Sequence, residues 1–287
     1  MCGRFTDMYT WEQLWQLYML SVSFPQSNMQ PNYNHCPTDP TDTILLRDGK
    51  RVFEKMRWGL IPQWWNKPLK ELRLATFNAR AETVDIKPFF RESFRRRRCL
   101  IPVSGYYEWH YDEPENKKKK PQPWYFTARD GSPILTTAGL WDEWKDRASG
   151  ETIRSCTMII TEPNRFVAQV HDRMPVLLRP DQFDAWLDGS AGKEMLVPAA
   201  EDMLNKVPVS QRVNSSRAPS DDPTLIEPAR LAQHEVELIA GQAGLYRTSE
   251  PLRRGKCNTA RRIKPTPIMS HGPKIFAKLP SVMSTRA

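Results

Sequence analysis

Apolar side chains at Trp11, Leu14, Trp15 and Tyr18 recur at the spacing of one helical face behind a Thr10–Gln13 pair of capping-box type, which predicts a first amphipathic helix over residues 11–20. That stripe reads as core. Elsewhere strand-like runs dominate. Residues 43–47 and 52–58, 124–128 and 134–138, and 141–145 and 153–160 are separated by Asp48-Gly49, Asp130-Gly131 and Ser149-Gly150. These punctuation pairs predict three hairpins. Residues 100–103 running into 106–109 predict one further strand. Helices are expected around 87–97, around 180–187 with Pro180 suited to the first turn, and around 199–204. Strands outnumber helices without a βαβ alternation, so the pattern predicts an α+β domain with a mainly antiparallel, barrel-like β core flanked by helices. Lys117–Lys120 between prolines reads as a solvated loop. Beyond Pro228 the apolar periodicity decays. A short helix over 231–240 is followed by a segment rich in Pro, Gly, Ser and basic residues, expected to be largely disordered. The expected division is a folded domain over 2–228 and a basic tail over 229–287.

Of the 287 residues, 39% are hydrophobic and 26% charged, as in an ordinary soluble globular chain. No apolar run approaches the ~18 residues of a membrane span, and Arg4, Asp7 and Glu12 interrupt any signal peptide. A cytoplasmic monomer is expected, nucleoid-associated if bacterial, with no membrane partner. The formal charge of +9 is uneven: residues from 231 onward hold +7 and the body only +2. Nucleic-acid affinity of the body must therefore come from a local groove, whereas the tail would add sequence-independent attraction to phosphates. The five cysteines, Cys2, Cys36, Cys99, Cys156 and Cys257, form no close metal-ligand pattern. Neither a disulfide framework, a metal nor a cofactor is expected.

Position 2 changes the picture. Removal of Met1 ahead of the small Cys2 would leave a free α-amine and a thiol on one residue. With pKa values near ~8 and ~8.5, a minority of each is nucleophilic at neutral pH. Such a 1,2-aminothiol condenses with an aldehyde to a Schiff base that the thiol closes to a thiazolidine. Four further stretches hold polar groups in structured surroundings. In Thr76-Phe77-Asn78-Ala79-Arg80-Ala81-Glu82-Thr83, an extended backbone sends Asn78, Arg80 and Glu82 to one face. Either an amide stands beside a phosphate-binding guanidinium, or Arg80 and Glu82 form a surface ion pair. Glu108, in Tyr106-Tyr107-Glu108-Trp109, is a desolvated general acid/base or a strand carboxylate paired to an arginine. His171 and Arg173 share a face if extended, as proton shuttle and phosphate contact, or His171 is a satisfied structural histidine. Trp64-Trp65 lie in a Pro-bounded loop, for base stacking or for core packing.

The joint pattern is more specific than its parts. Met1-Cys2-Gly3-Arg4-Phe5, Tyr33-Asn34 with Pro37, Trp58-Gly59-Leu60 before Trp64-Trp65, Asn78 to Thr83, Gly105 to Trp109, and His171 to Pro175 occur in this order. Together with Val207 to Ser210, Val213-Asn214 and Leu225 to Pro228, they resemble the SOS-response-associated peptidase (SRAP) family over about residues 2–228. The resemblance implies a DNA-damage protein that links covalently to abasic sites in single-stranded DNA, including single-strand/double-strand junctions. It implies Cys2 as nucleophile and Asn78 orienting the Cys2 terminus and sugar. It further implies Glu108 as acid/base, His171 assisting sugar ring opening, Arg4, Arg80 and Arg173 on phosphates, and Trp64 and Trp65 as a wedge. Gln63 stands where the family often carries Gly. The expected function is thiazolidine crosslinking with (auto)peptidase and lyase-type chemistry. The alternative is an N-terminal-nucleophile cysteine peptidase or amidohydrolase, and a non-catalytic DNA-binding module is a third class.

Overall fold

The computed structural model describes residues 2–21, 29–111 and 120–229. Its strands are β1 Phe5–Asp7, β2 Asn32–His35, β3 Pro40–Arg47, β4 Lys50–Trp58, β5 Asn78–Arg80, β6 Arg98–Val103, β7 Gly105–His110, β8 Gln122–Ala128, β9 Leu135–Lys145, β10 Thr152–Thr161, β11 Met174–Pro175, β12 Leu177–Leu178 and β13 Leu204–Pro208. Four short helices accompany them: α1 Trp11–Tyr18, α2 Arg91–Arg96, α3 Arg165–Ala168 and α4 Phe183–Leu187.

β10 is the shared strand. It runs antiparallel to β9 from Thr152 to Met158 on one side, and parallel to β4 and then β5 on the other. β4 continues antiparallel to β3, β3 to β6, and β6 back to β9. The circuit closes a five-stranded barrel, which removes its exposed edges. From Ser155 to Thr161, β10 is buried on both faces, so the small polar side chains of Ser155, Thr157 and Thr161 are buried along with Cys156, Met158, Ile159 and Ile160. A second sheet, in the order β13-β8-β7-β1-β2, packs Phe5, Tyr106 and Phe126 against Trp58, Met158 and Ile160 of the barrel. The class is therefore α+β with a mainly antiparallel barrel, as the pattern predicted.

The expected single strand over 100–109 is instead two strands in different sheets. The chain switches at Ser104, whose N–H donates to Thr6 O at 2.7 Å and whose Oγ accepts from Met8 N–H at 2.8 Å. Gly105 follows because a Cβ there would stand 2.5 Å from the Tyr125 hydroxyl and 2.6 Å from Phe126 O. The Asp130-Gly131 turn forms, with Gly131 at φ +78°, but it joins no paired strands, since β8 lies between β7 and β13 while β9 belongs to the barrel. The other two hairpins form. Asp48 and Gly49 turn at φ 51° and 70° between Arg47 and Lys50, and β9 meets β10 around Gly150.

Helix α1 has the expected reciprocal cap, but ends at Tyr18 with Met19 in the left-handed region at φ 47°. Only Arg91–Arg96 of the 87–97 stretch is α-helical, and Pro180–Gln182 forms a 3-10 turn leading into α4. No helix forms over 199–204. The Asn164 side-chain amide takes the carbonyls of Ala199 and Ala200, and the edge of β8 draws Leu204 into β13. Among the described residues no helix is long and apolar enough to cross a membrane. Most of the expected Lys117–Lys120 loop, the expected 231–240 helix and the tail beyond Ala229 lie outside the described residues.

The close approach at the sheet switch makes Gly105 and Gly131 unequal. Gly105→Ala must displace a tyrosine ring and a backbone carbonyl and is expected to cost about 3 kcal/mol, whereas Gly131→Ala, with open space at Cβ, costs only its positive φ, about 1 kcal/mol. Urea unfolding of the two variants checks this, and an equal or reversed order would refute the packing argument.

Candidate active site

Cys2 is held by the sheet that follows it. β1 lies between β2 and β7, with Phe5 opposite His35 on one side and Tyr106 on the other. The Phe5 ring stacks on His35 at 4.2 Å and meets Trp58 edge-on at 4.8 Å. Three residues upstream, Cys2 is buried at 1% exposure. Its carbonyl accepts a 2.9 Å hydrogen bond from Asn78 Nδ2. Asn78 is placed by β5, which lies parallel to β10 with Asn78 opposite Met158. The other amide atom, Asn78 Oδ1, is buried and has no hydrogen-bond partner among the described residues.

Glu108 comes from β7, whose alternation puts Tyr106 and Glu108 on one face and Tyr107 on the other. Glu108 is fully buried opposite Trp124. Burial pushes its carboxyl up to about 7, with the charge of Asp172 adding to the rise and a hydrogen bond with Cys2 opposing it. The Cys2 thiol is raised well above its ordinary value by burial first, then by the charge and hydrogen bond of Glu108. The two groups thus compete for protons in a dry site, and the thiol keeps its own. Tyr106 completes the cluster. Its phenol is held protonated by burial, reinforced by the neighbouring Cys2 and Glu108, and its hydroxyl has no hydrogen-bond partner among the described residues. Sequence reasoning passed over Tyr106 as one aromatic among several; the two-residue spacing to Glu108 was the available signal.

His171 arrives from the opposite side. Asn164 caps α3 through Val167 N–H at 2.9 Å, and His171 N–H returns to Val167 O at 3.0 Å. The ring's Nε2 lies 3.6 Å from Glu108 Oε2. Its Nδ1 faces the Arg173 backbone N–H at 3.0 Å, the shorter contact and one that favours a proton on Nε2, and also Arg173 O at 3.3 Å, which a proton on Nδ1 would satisfy. Asp172 Oδ1 stands 3.2 Å from the same Nδ1, but that carboxylate is 85% exposed and the nitrogen already faces a backbone donor. Burial also lowers the imidazole pKa, so the neutral tautomer is the one the surroundings favour.

The other expected residues divide. Arg80 is exposed, and its side chain makes no hydrogen bond or ion pair among the described residues. The expected common face of Asn78, Arg80 and Glu82 does not extend to Glu82, because β5 ends at Arg80 and Thr83 N–H turns back to Arg80 O. Glu82 pairs with Arg173 and not with Arg80. Arg4 turns its guanidinium to Asn34 Oδ1 at 2.5 Å and to Val213 O at 2.9 Å, a bracing role. Trp64 is 50% exposed, donates to Pro88 O at 3.2 Å and packs edge-on against Phe89 at 5.1 Å. Gln63 anchors that loop through its N–H to Asp142 Oδ2 at 3.0 Å. A wide groove of about 820 Å³, between α1, β12 and residues 195–203, contains none of these residues, so cavity size alone does not point to the chemistry.

Comparison with known proteins identifies the family. Residues 1–216 match the model of the family described as SOS response associated peptidase (SRAP). A Bacillus subtilis protein named abasic site processing protein YoaM is 33% identical over 222 residues, spanning 76% of this chain and 94% of the relative. A second, abasic site processing protein YoqW, is 32% identical over 232 residues, spanning 79% and 99%. The crystal structure of a Bacteroides thetaiotaomicron protein shares the fold with a TM-score of 0.69 at 24% identity, covering 80% of this chain and all of that one.

Folding raises the Glu108 carboxyl from its ordinary 4.5 to about 7, so the folded chain binds this proton more tightly than the unfolded one. The contribution of Glu108 to stability therefore falls as pH climbs between those values. Glu108→Gln, uncharged and of the same shape, is expected to exceed wild type by up to about 3 kcal/mol above pH 7.5 and to match it near pH 4. Urea unfolding at both pH values measures the difference, and a pH-independent difference would contradict a buried, titrating carboxyl.

Proposed function

The chain belongs to the SOS response associated peptidase family, and we propose that it processes abasic sites by linking to them covalently through Cys2 once Met1 is removed. The observation that carries this reading is the convergence of Cys2, Asn78, Glu108 and His171 in one water-poor cluster. The relatives named abasic site processing proteins support the substrate. The proposed partner is single-stranded DNA carrying an abasic site, bound by a monomer.

An abasic sugar in its open form offers an aldehyde. The Cys2 amine attacks that carbon to give a carbinolamine. Protonated Glu108 gives its proton to the departing hydroxyl, which leaves as water, and an iminium remains. The Glu108 carboxylate then takes the thiol proton as sulfur closes on the iminium carbon. A thiazolidine forms, and Glu108 ends protonated as it began. A carboxyl of pKa about 7 suits both directions of that transfer near neutral pH. A thiol kept protonated by burial is protected from adventitious oxidation until the iminium forms. Asn78 fixes the Cys2 carbonyl and has its Oδ1 available to a sugar hydroxyl. A neutral His171 ring with its proton on Nε2 donates that N–H to the sugar oxygen during ring opening, a role supported by the 3.0 Å contact of Nδ1 with the Arg173 N–H. Exposed Arg80 is the guanidinium best placed to meet a phosphate, and half-exposed Trp64 offers a face for a base.

Incubation with an oligonucleotide containing an abasic site is expected to give an adduct that survives a denaturing gel, absent in Cys2→Ala. Cys2→Ser keeps the amine and is expected to give a Schiff base trapped by borohydride, without a stable adduct. An undiminished adduct in Cys2→Ala would sink the mechanism, and turnover of a peptide or glutamine panel without any adduct would favour an amidohydrolase. Replacing Arg80 with Ala is expected to weaken binding of undamaged single-stranded DNA roughly tenfold, as loss of one charge-assisted contact should, with thermal stability unchanged. Anisotropy titrations beside a melting curve check this; a stability loss without an affinity loss would make Arg80 structural.

A further inference from the structure

Lys206 stands on the edge strand of the sheet that carries Glu108. In β13 it is opposite Phe126, and Phe126 is opposite Tyr106 and stacked on it at 5.0 Å, so Lys206 shares the sheet face of Tyr106 and Glu108. Its ammonium has no carboxylate partner among the described ion pairs. It donates to Phe166 O at 2.9 Å and to Gln169 Oε1 at 2.7 Å. It also lies 4.4 Å from the Phe166 ring centre and 5.6 Å from that of Trp124, the residue opposite Glu108. Both acceptors belong to the segment that ends in His171. The front of that segment is held separately: Glu201 takes the N–H groups of Arg165 and Phe166 at 2.9 and 3.0 Å, and Asn164 holds Ala199 and Ala200. Lys206 is thus a hydrogen-bonded tie between the rear of α3 and the sheet of Glu108, beside the apolar contact of Phe166 with Phe126 at 6.4 Å.

We propose that Lys206 is a positioning residue that holds His171 against Glu108, acting through the Phe166 carbonyl and the Gln169 side chain. The proposal rests on the abasic-site reading for its catalytic consequence only. Burial alone lowers the Lys206 amine to about 8. The charged or titratable groups on the elements around it are Arg165, His171, Asp172 and Arg173 on α3 and its following loop, Glu201 and Asp202 before β13, Tyr106 and Glu108 on the same face of the sheet in β7, and Tyr125 on the other face of β8. None of these hydrogen-bonds or ion-pairs with the ammonium. As pH rises through about 8 the ammonium is lost, and with it the attraction to the two rings and the charge assistance of both hydrogen bonds. The tie loosens on the alkaline side.

Single-turnover crosslinking of an abasic single-stranded oligonucleotide, followed from pH 6.5 to 9.5 in wild type, Lys206→Arg and Lys206→Met, tests this. Titration of the Cys2 amine and thiol is common to all three and cancels in rate ratios. The ratio of Lys206→Arg to wild type is expected near one below pH 7 and roughly threefold or more above pH 9, because arginine keeps its charge. Lys206→Met is expected to be roughly tenfold slower at neutral pH, the scale of losing hydrogen bonds to a charged group, while its affinity for a tetrahydrofuran-containing oligonucleotide is unchanged. The His171 ring resonances should be displaced in Lys206→Met and restored in Lys206→Arg. A flat ratio across pH, or a Lys206→Met protein with wild-type rate and wild-type His171 resonances, overturns the proposal; if Lys206→Met fails to fold, the arginine ratio decides. Should wild type form no adduct, the abasic reading fails and the resonances decide the tie: movement near pH 8 in wild type but not in Lys206→Arg supports it, and identical behaviour overturns it.

Discussion

Burying the Glu108 carboxyl beside the Cys2 thiol is the constraint around which the site is built. A carboxylate taken out of water either finds compensation or takes up a proton, and here it moves its titration to about pH 7. The cost falls on folding stability, so the rest of the chain must hold the group in place against its own preference for solvent. The closed barrel supplies that rigidity through β10, whose two edges carry β9 on one side and β4 and β5 on the other. Asn78 is therefore delivered to Cys2 from a short strand registered directly on β10, with Asn78, Ala79 and Arg80 opposite Met158, Ile159 and Ile160.

The two sheets contribute different halves of the candidate site. Glu108, Tyr106 and β1 belong to the open sheet, whereas Asn78 lies in β5, paired to the barrel strand β10, and His171 follows α3 in the segment after β10. Their meeting depends on the chain changing sheets at Ser104 and Gly105, and at Gly105 the space available admits no Cβ. A cluster assembled across such a boundary is precise only if each side is tied independently. The Asn164 and Glu201 caps on α3 and the hydrogen bond from Arg173 N–H to the ring provide those ties for His171.

Much of this was legible in the order of the residues, and the failures have a common cause. The α1 cap and the tight turn at Asp48-Gly49 are local signals, and both appear where local chemistry put them. Strand partners are non-local. Asp130-Gly131 has the same turn chemistry as Asp48-Gly49, yet the strands it separates belong to different sheets, and nothing within a few residues of the turn says so. The 199–204 stretch has helix-forming residues but loses its carbonyls to Asn164, 35 residues away in the chain. Likewise, the residue types at Cys2, Asn78, Glu108 and His171 were readable as chemistry. That Arg4 would be occupied by Asn34 and Val213, and Glu82 by Arg173, required the fold.

Charge placement separates recognition from reaction. Residues 1–230 carry a formal charge of only +2, so long-range attraction from the folded body is weak, and any phosphate contact there must rest on particular side chains. Of the three arginines expected on phosphates, one braces a loop and one is neutralised by Glu82, which leaves Arg80 as the uncommitted guanidinium. The groups that react on the proposed reading carry little fixed charge: the thiol is kept protonated, burial disfavours the imidazolium, and the carboxyl is poised between its two forms. On the proposed reading, this arrangement lets the aldehyde meet an amine and a proton donor in a medium with little water to reverse the imine. A strongly charged site would draw in the solvent that hydrolyses its own intermediate, so burial that keeps the thiol protonated and the carboxyl near its midpoint is itself part of how such a cluster would favour ring closure over release.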